Sequence, residues 1–460
     1  MVNQDGRRDA GRYATTGGAL QSSIIENLLG WKGTAMKHRD DRRGLWWCVV
    51  AIGSVFTISA ASGCAVPARG TRVHMNDDKV LIVDGRPMFP IGVTMPPPLD
   101  GKTPDGRPAL AELRDAGVHF FRTGQQGADW DAEALAREQA WMDAAARYGM
   151  GCWVNLGALS VIGPDEDEKV ARLREIVNRF KDDPGLIFWK NFDEAAWAGT
   201  PPEAMARGYR VIHDADPHHP VVQTHAPRGT IETLRPYNAC ADILNLDIYP
   251  VGYPPGMNSL LPNKEISMIG DWTRFVRDVA EDRKSCWMTL QICWSGVVKE
   301  GKTLRFPTFS QERFMVYQAV INGARGLNFF GGHIPQSLSA EDARLGWNWT
   351  FWRRVLRPVL EEINEKSPLA AAMVAPDASL PIRVNGADDV EFCVREAGAE
   401  LFILACKREG ATVQVTFTGL PDWAGHGELL YEAPRAVEAR DGTFTDWFGP
   451  FEVHVYRFRR

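Results

Sequence analysis

From Val80 onward the chain alternates short apolar runs of strand length with longer stretches of helical periodicity, and this alternation constrains the fold more than any other feature. Eight runs have strand character: Phe89–Val93, His119–Thr123, Gly151–Leu156, Leu186–Phe192, Pro220–His225, Asp242–Tyr249, Cys286–Ile292 and Gly326–Phe330. The clearest helix between them is Glu168–Phe180, where Val170, Leu173, Ile176, Val177 and Phe180 fall on one stripe. Ala132–Tyr148 and Gln311–Gly323 follow the same pattern. Parallel strands joined by helices bury both faces of a sheet, and eight such units in roughly 250 residues suit a closed (β/α)8 barrel. A doubly wound open sheet is the alternative, but no Gly-rich phosphate loop follows the first strand.

The flanks have a different texture. Basic residues from Met36-Lys37-His38-Arg39 to Arg43 precede an apolar run, Leu45–Ala61, closed by Ser62-Gly63-Cys64. That order of basic, apolar and small residues marks an export leader, with Met36 as the expected start and residues 1–70 outside the mature fold. Cys64 resembles the lipidated cysteine of a bacterial lipobox, although Ala61 stands where Leu is usual. A lipidated Cys64, or an uncleaved leader, would tether the protein to a membrane. Export predicts a periplasmic, cell-surface or secreted protein. Val73–Pro87, with its Asp84-Gly85 turn, reads as a hairpin ahead of the barrel, which spans 73–367 with it. Beyond Ser367 come short strand-like runs with Gly-containing turns and no helical stripe. They predict a β-sandwich over 378–460.

In a (β/α)8 barrel the active site forms at the C-terminal strand ends, which selects candidate residues without any comparison. The fourth strand ends in Asp193-Glu194. Adjacent side chains of a strand point in opposite directions, so Glu194 is expected to face a substrate while Asp193 orients or tunes it. A helix N-cap is the competing explanation for the pair. Asp247 ends strand 6. Arg122, Asn155, His225, Tyr249, Gln291, Trp294 and His333 end or follow other strands and are expected to bind substrate. Sixteen Trp suit flat, amphipathic sugar faces, or simply an aromatic core. The net charge of -6 offers no basic field for nucleic acid. There is no C-x-x-C pair, and His213, His218 and His219 fall on a polar loop around Pro217, so neither metal nor cofactor is expected. Cys393 and Cys406 sit on neighbouring runs, as buried thiols or as a pair.

Four segments in order resemble the clan A glycoside hydrolases. These are Leu81–Val93 (LIVDGRPMFPIGV), Asp183–Ile187 with Asp193-Glu194 after it, Asp242–Pro250 (DILNLDIYP), and Phe306–Gly326 leading into strand 8. The resemblance covers most of residues 75–460 and implies a barrel with an appended β-sandwich, hydrolysis of a poly- or oligosaccharide, and Glu194 as general acid/base. The sequence departs from the clan in one place. Strand 7 carries Gln291 where retaining members have a nucleophilic Glu, and an amide cannot form a stable glycosyl ester. Three explanations remain: Asp247 is the nucleophile, or the enzyme inverts with Asp247 as base, or the barrel is degenerate and binds sugar without cleaving it. Glu300, on the loop after strand 7, is a further carboxylate, or a solvated charge beside Lys299 and Lys302. Oligomeric state leaves no mark on the sequence.

Overall fold

The computed structural model describes residues 70–292, 303–332 and 337–460. Eight parallel strands close into a barrel: β1 (Ile91–Val93), β2 (Phe120–Gly124), β3 (Gly151–Asn155), β4 (Leu186–Lys190), β5 (Val221–His225), β6 (Ile243–Asp247), β7 (Ser285–Gln291) and β8 (Leu327–Phe330). Each matches an expected run to within two residues. β1 is the shortest because Pro90 has no N–H to donate, although its carbonyl still accepts from Leu327 N at 2.9 Å. β1 and β8 pair in parallel and close the circle. Helices α1 (Ala109–Asp115), α2 (Ala132–Tyr148), α3 (Asp167–Phe180), α4 (Pro202–Ala215), α5 (Met268–Val279) and α6 (Phe309–Ile321) lie outside it. On α3 the buried side chains are Leu173, Ile176, Val177 and Phe180, the stripe expected from spacing.

The barrel interior is layered because inward side chains recur every second residue. Phe120, Trp153, Phe188, Ile243 and Trp287 form an apolar floor. Phe188 meets Phe120 and Trp287 edge-on, with ring centroids 5.2 and 5.0 Å apart. Two residues higher the interior turns polar. Asn245 Nδ2 donates to Thr224 Oγ1 (3.1 Å) and Thr289 Oγ1 (2.8 Å), while Asn328 Nδ2 donates to Thr94 Oγ1 (3.1 Å). Gly92 is required by the floor, since a Cβ there would lie 2.2 Å from the Phe120 ring. The N-terminal segment forms a three-stranded antiparallel sheet over 73–88 rather than a bare hairpin. Its Asp84-Gly85 turn has positive φ at both residues (47° and 79°), and Val73 and Leu81 pack on the floor from the N-terminal end.

The C-terminal segment forms two antiparallel sheets. One joins Arg383–Asn385, Val413–Thr418 and Thr443–Phe448; the other joins Val390–Ala397, Glu400–Lys407, Val453–Arg459, His426–Leu430 and Ala436–Glu438. Leu401, Ile403, Phe417, Phe444 and Tyr456 lie in the core they share. Phe402, Leu404, Val453 and Val455 instead belong to the cluster that covers the barrel's helices. Cys393 and Cys406 are both free, buried thiols, because Cys393 stands opposite Leu404 and Cys406 opposite Glu391.

Candidate active site

The same two-residue rhythm carries charge to the C-terminal mouth. Above the floor, Phe120 is followed by Arg122, Trp153 by Asn155, Phe188 by Lys190, Asn245 by Asp247 and Thr289 by Gln291. Lys190 is fully buried, and its Nζ lies 2.8 Å from Asp193 Oδ1 and 5.5 Å from the centre of the Trp153 ring. Arg122 Nη1 and Gln126 Nε2 both reach Asp193 Oδ2 at 3.4 Å. Asp193 is therefore an ionised, orienting group. Burial alone would raise its pKa, but Lys190 and Arg122 outweigh burial and hold it below the usual carboxylate range.

Glu194 behaves oppositely. Burial raises its pKa well above the ordinary value, the charges of Asp247 and Asp193 push the same way, and its carboxyl shares a hydrogen bond with Asp247. Asp247 is raised to about 6 by burial and the Asp193 charge, and this is moderated by hydrogen bonds from Tyr249 and Glu194. Two neighbouring carboxyls resist ionising together, and of this pair Glu194 is the one held more strongly in the protonated form. The Tyr249 hydroxyl donates to Asp247 Oδ2 at 2.9 Å, and its ring stacks on Phe330 with centroids 5.2 Å apart.

Backbone geometry sets this arrangement. Glu194 has φ of 47°, in the left-handed region that a residue with a β-carbon enters at a cost. Its carbonyl then accepts from Ala198 N at 3.0 Å, which closes a turn. The following helix, α4, starts only at Pro202 with Pro201 as its cap, so Asp193 and Glu194 do not cap a helix. The twist at Glu194 separates the roles of the two acids.

The other expected residues divide. Asp247 and Tyr249 gather around Glu194, and Arg122 holds Asp193 beside it. Asn155 lies just inside the mouth, where its Oδ1 accepts from Gly157 N at 3.3 Å. His225 lies on the outer face of β5, since Thr224 is the inward residue there. It is buried edge-on against Tyr237 (6.1 Å), and burial lowers its pKa to about 4. Gln291 is committed to the backbone: its Oε1 accepts from Val251 N (2.7 Å), and its Nε2 donates to Val251 O (2.9 Å) and Arg305 O (3.3 Å). Trp294, His333 and Glu300 lie outside the described residues, as do Cys64 and the leader. Lys190 and Gln126 were not anticipated, although a lysine closing an otherwise apolar buried strand was a signal for the first. Among the described residues eight tryptophans are almost wholly buried, and Trp197 and Trp447 are the large exposed ones.

His219 lies at the opposite end of the barrel, where Asp216 Oδ2 contacts its Nδ1 (2.8 Å) and accepts from Trp189 Nε1 (2.8 Å). Among the described residues no group of three His, Cys, Asp or Glu is placed to hold a metal ion.

No protein-family model matches the chain, and no curated protein does either. Solved structures do match. A family 5 glycoside hydrolase from Bacteroides vulgatus ATCC 8482 aligns at 14% identity over 84% of this chain and 93% of its own, with a TM-score of 0.56. A further glycoside hydrolase aligns at 13% identity over 84% and 96%, also at 0.56. An Anoxybacillus alpha-amylase aligns at 11% identity over 80% and 97%, at 0.50. Identity at this level establishes a shared barrel fold with these enzymes.

Proposed function

We propose that the protein hydrolyses a glycosidic bond in a poly- or oligosaccharide, with Glu194 as general acid/base and Asp247 as the second carboxylate. The observation that carries this is the pairing of Glu194 and Asp247 at the mouth of the barrel, close enough for each to shift the other, with Glu194 raised well above its ordinary range and Asp247 to about 6. Inverting enzymes hold the two groups about 6.5–9.5 Å apart to admit a water, whereas retaining ones hold them about 5–5.5 Å apart. The retaining route fits better. Substrate replaces the hydrogen bond between the acids. Glu194 then protonates the leaving oxygen while an Asp247 oxygen attacks the anomeric carbon, and the glycosyl ester is cleaved by a water that Glu194 deprotonates. Asp193, fixed by Lys190 and Arg122, supplies the negative charge that keeps Glu194 protonated.

The likeness of fold to glycoside hydrolases supports this reading. The leader-like order of residues 36–64 supports an exported protein, tethered if Cys64 carries lipid. One observation favours a second reading, a barrel that binds carbohydrate without cleaving it: the Gln291 amide is fully spent on the Val251 and Arg305 backbone, so β7 contributes no carboxylate. A glycan panel separates the two. The expected result is turnover with retained anomeric configuration by NMR, lost by two or more orders of magnitude in Glu194→Gln and in Asp247→Asn with the fold intact. Unchanged turnover in either variant removes that residue from the mechanism.

A further inference from the structure

Trp197 follows Glu194 on the loop after β4 and is 49% exposed, whereas most of the other indoles among the described residues are buried. Above it sits a cation from the neighbouring strand's loop: Arg228 Cζ lies 5.5 Å from the centre of the Trp197 ring. Strands β4 and β5 pair directly, so both loops emerge on the mouth side, and the Ala198-to-Glu194 turn keeps Trp197 within one turn of the acid. Arg228 is half-buried, and among the described residues no carboxylate lies within salt-bridge distance of it. This is unusual beside Arg122, which is paired to Asp193.

A guanidinium held over an indole and not by a carboxylate keeps its N–H donors free, and they form a fork that matches a planar carboxylate. The exposed indole offers the flat apolar surface on which a sugar ring packs. The local charge agrees, since Lys190 and Arg122 both lie on Asp193 while Arg228, over Trp197, has no acid of its own among the described residues. We propose that Trp197 and Arg228 form a subsite for an acidic sugar, with the ring on the indole and its carboxylate on the Arg228 fork. The protein would then act on a uronate-containing glycan. The inference rests on the carbohydrate reading above and narrows it.

The test measures binding, so it does not depend on turnover. Glu194→Gln protein is titrated calorimetrically at physiological salt with matched pairs of oligosaccharides: glucuronate and glucose, galacturonate and galactose, mannuronate and mannose. A sulfated neutral oligosaccharide is the further arm. The expected result is that one uronate member binds about 10- to 100-fold tighter than its neutral partner, the scale of a charge-assisted fork. Adding Arg228→Gln should abolish that preference without changing affinity for the neutral member or the Tm. Arg228→Lys, which keeps the charge and loses the fork, should recover only part of it. Tighter binding of the sulfated arm than of every uronate would overturn the carboxylate assignment. Neutral members binding as tightly as their acidic partners, or an acidic preference that survives Arg228→Gln, would overturn the subsite and leave the glycosidase reading intact. Binding of no member of any pair would count against both.

Discussion

At the residue scale, chemistry at the mouth depends on how three acids are kept different. Asp193 is ionised because two cations outweigh its burial, Glu194 is kept neutral by burial and by the nearby Asp247 and Asp193, and Asp247 lies between. The pH dependence follows with its sign. The nucleophile must be ionised, so kcat/KM falls on the acid side as Asp247 takes up a proton near pH 6; the acid must be protonated, so the alkaline limb is set by Glu194 and lies above its ordinary range. In a pH–rate series, Asp193→Asn should move the alkaline limb down, because it removes an anion that disfavours ionised Glu194; a limb that does not move would show that Asp193 does not tune the acid. Much of this site was legible from strand ends alone, including Asp193, Glu194, Asp247, Arg122 and Tyr249. His225 was misjudged because a strand-end position does not give parity, and in β5 the inward residue is Thr224. The Gln291 contacts with Val251 and Arg305 reach across 40 and 14 positions of sequence, so no local pattern signals them.

At the element scale, strand and helix periodicity placed all eight barrel strands, because a buried parallel sheet leaves runs too apolar to be anything else. What periodicity could not supply was the content of the layers. Gly92 shows why: in sequence it is one of 43 glycines, but in the barrel it is where β1 passes over the Phe120 ring. Gly92→Ala would force that ring, fixed by Trp153, Phe188 and Trp287, to move. The expected cost is about 1–3 kcal/mol, read as a lower Tm. Gly85→Ala, at an open turn where nothing crowds the added carbon, should cost only the strain of its positive φ, about 1 kcal/mol.

At the scale of the whole molecule, barrel and sandwich behave as one body. Arg313 on α6 pairs with Glu362 at 2.8 Å and also donates to the Val453 carbonyl at 2.9 Å, and Tyr317 completes the group on Glu362. Asp271 on α5 receives Arg408, and Gln318 donates to Glu391 at 2.8 Å. The Arg313–Val453, Asp271–Arg408 and Gln318–Glu391 contacts join residues more than 70 positions apart, and an apolar cluster runs beneath them. Calorimetry should therefore show a single unfolding transition. Arg313→Met would leave Glu362 buried without its cation and lower stability by about 3–5 kcal/mol. Two separate transitions in the wild type would show that the sandwich folds on its own.

The amide of Gln291 has a consequence for anyone hoping to repair this barrel by analogy. Its oxygen receives an amide proton and its nitrogen gives one to a carbonyl, so the side chain imitates a stretch of backbone and latches the segment after β6 to β7. A carboxylate can imitate only half of that. Gln291→Glu would set an anion against the Val251 carbonyl and cut the latch, and the variant should lose turnover and thermal stability together. What looks like a vacancy in the catalytic machinery is a hinge pin, and replacing it with the expected acid would loosen the wall on which Asp247 stands.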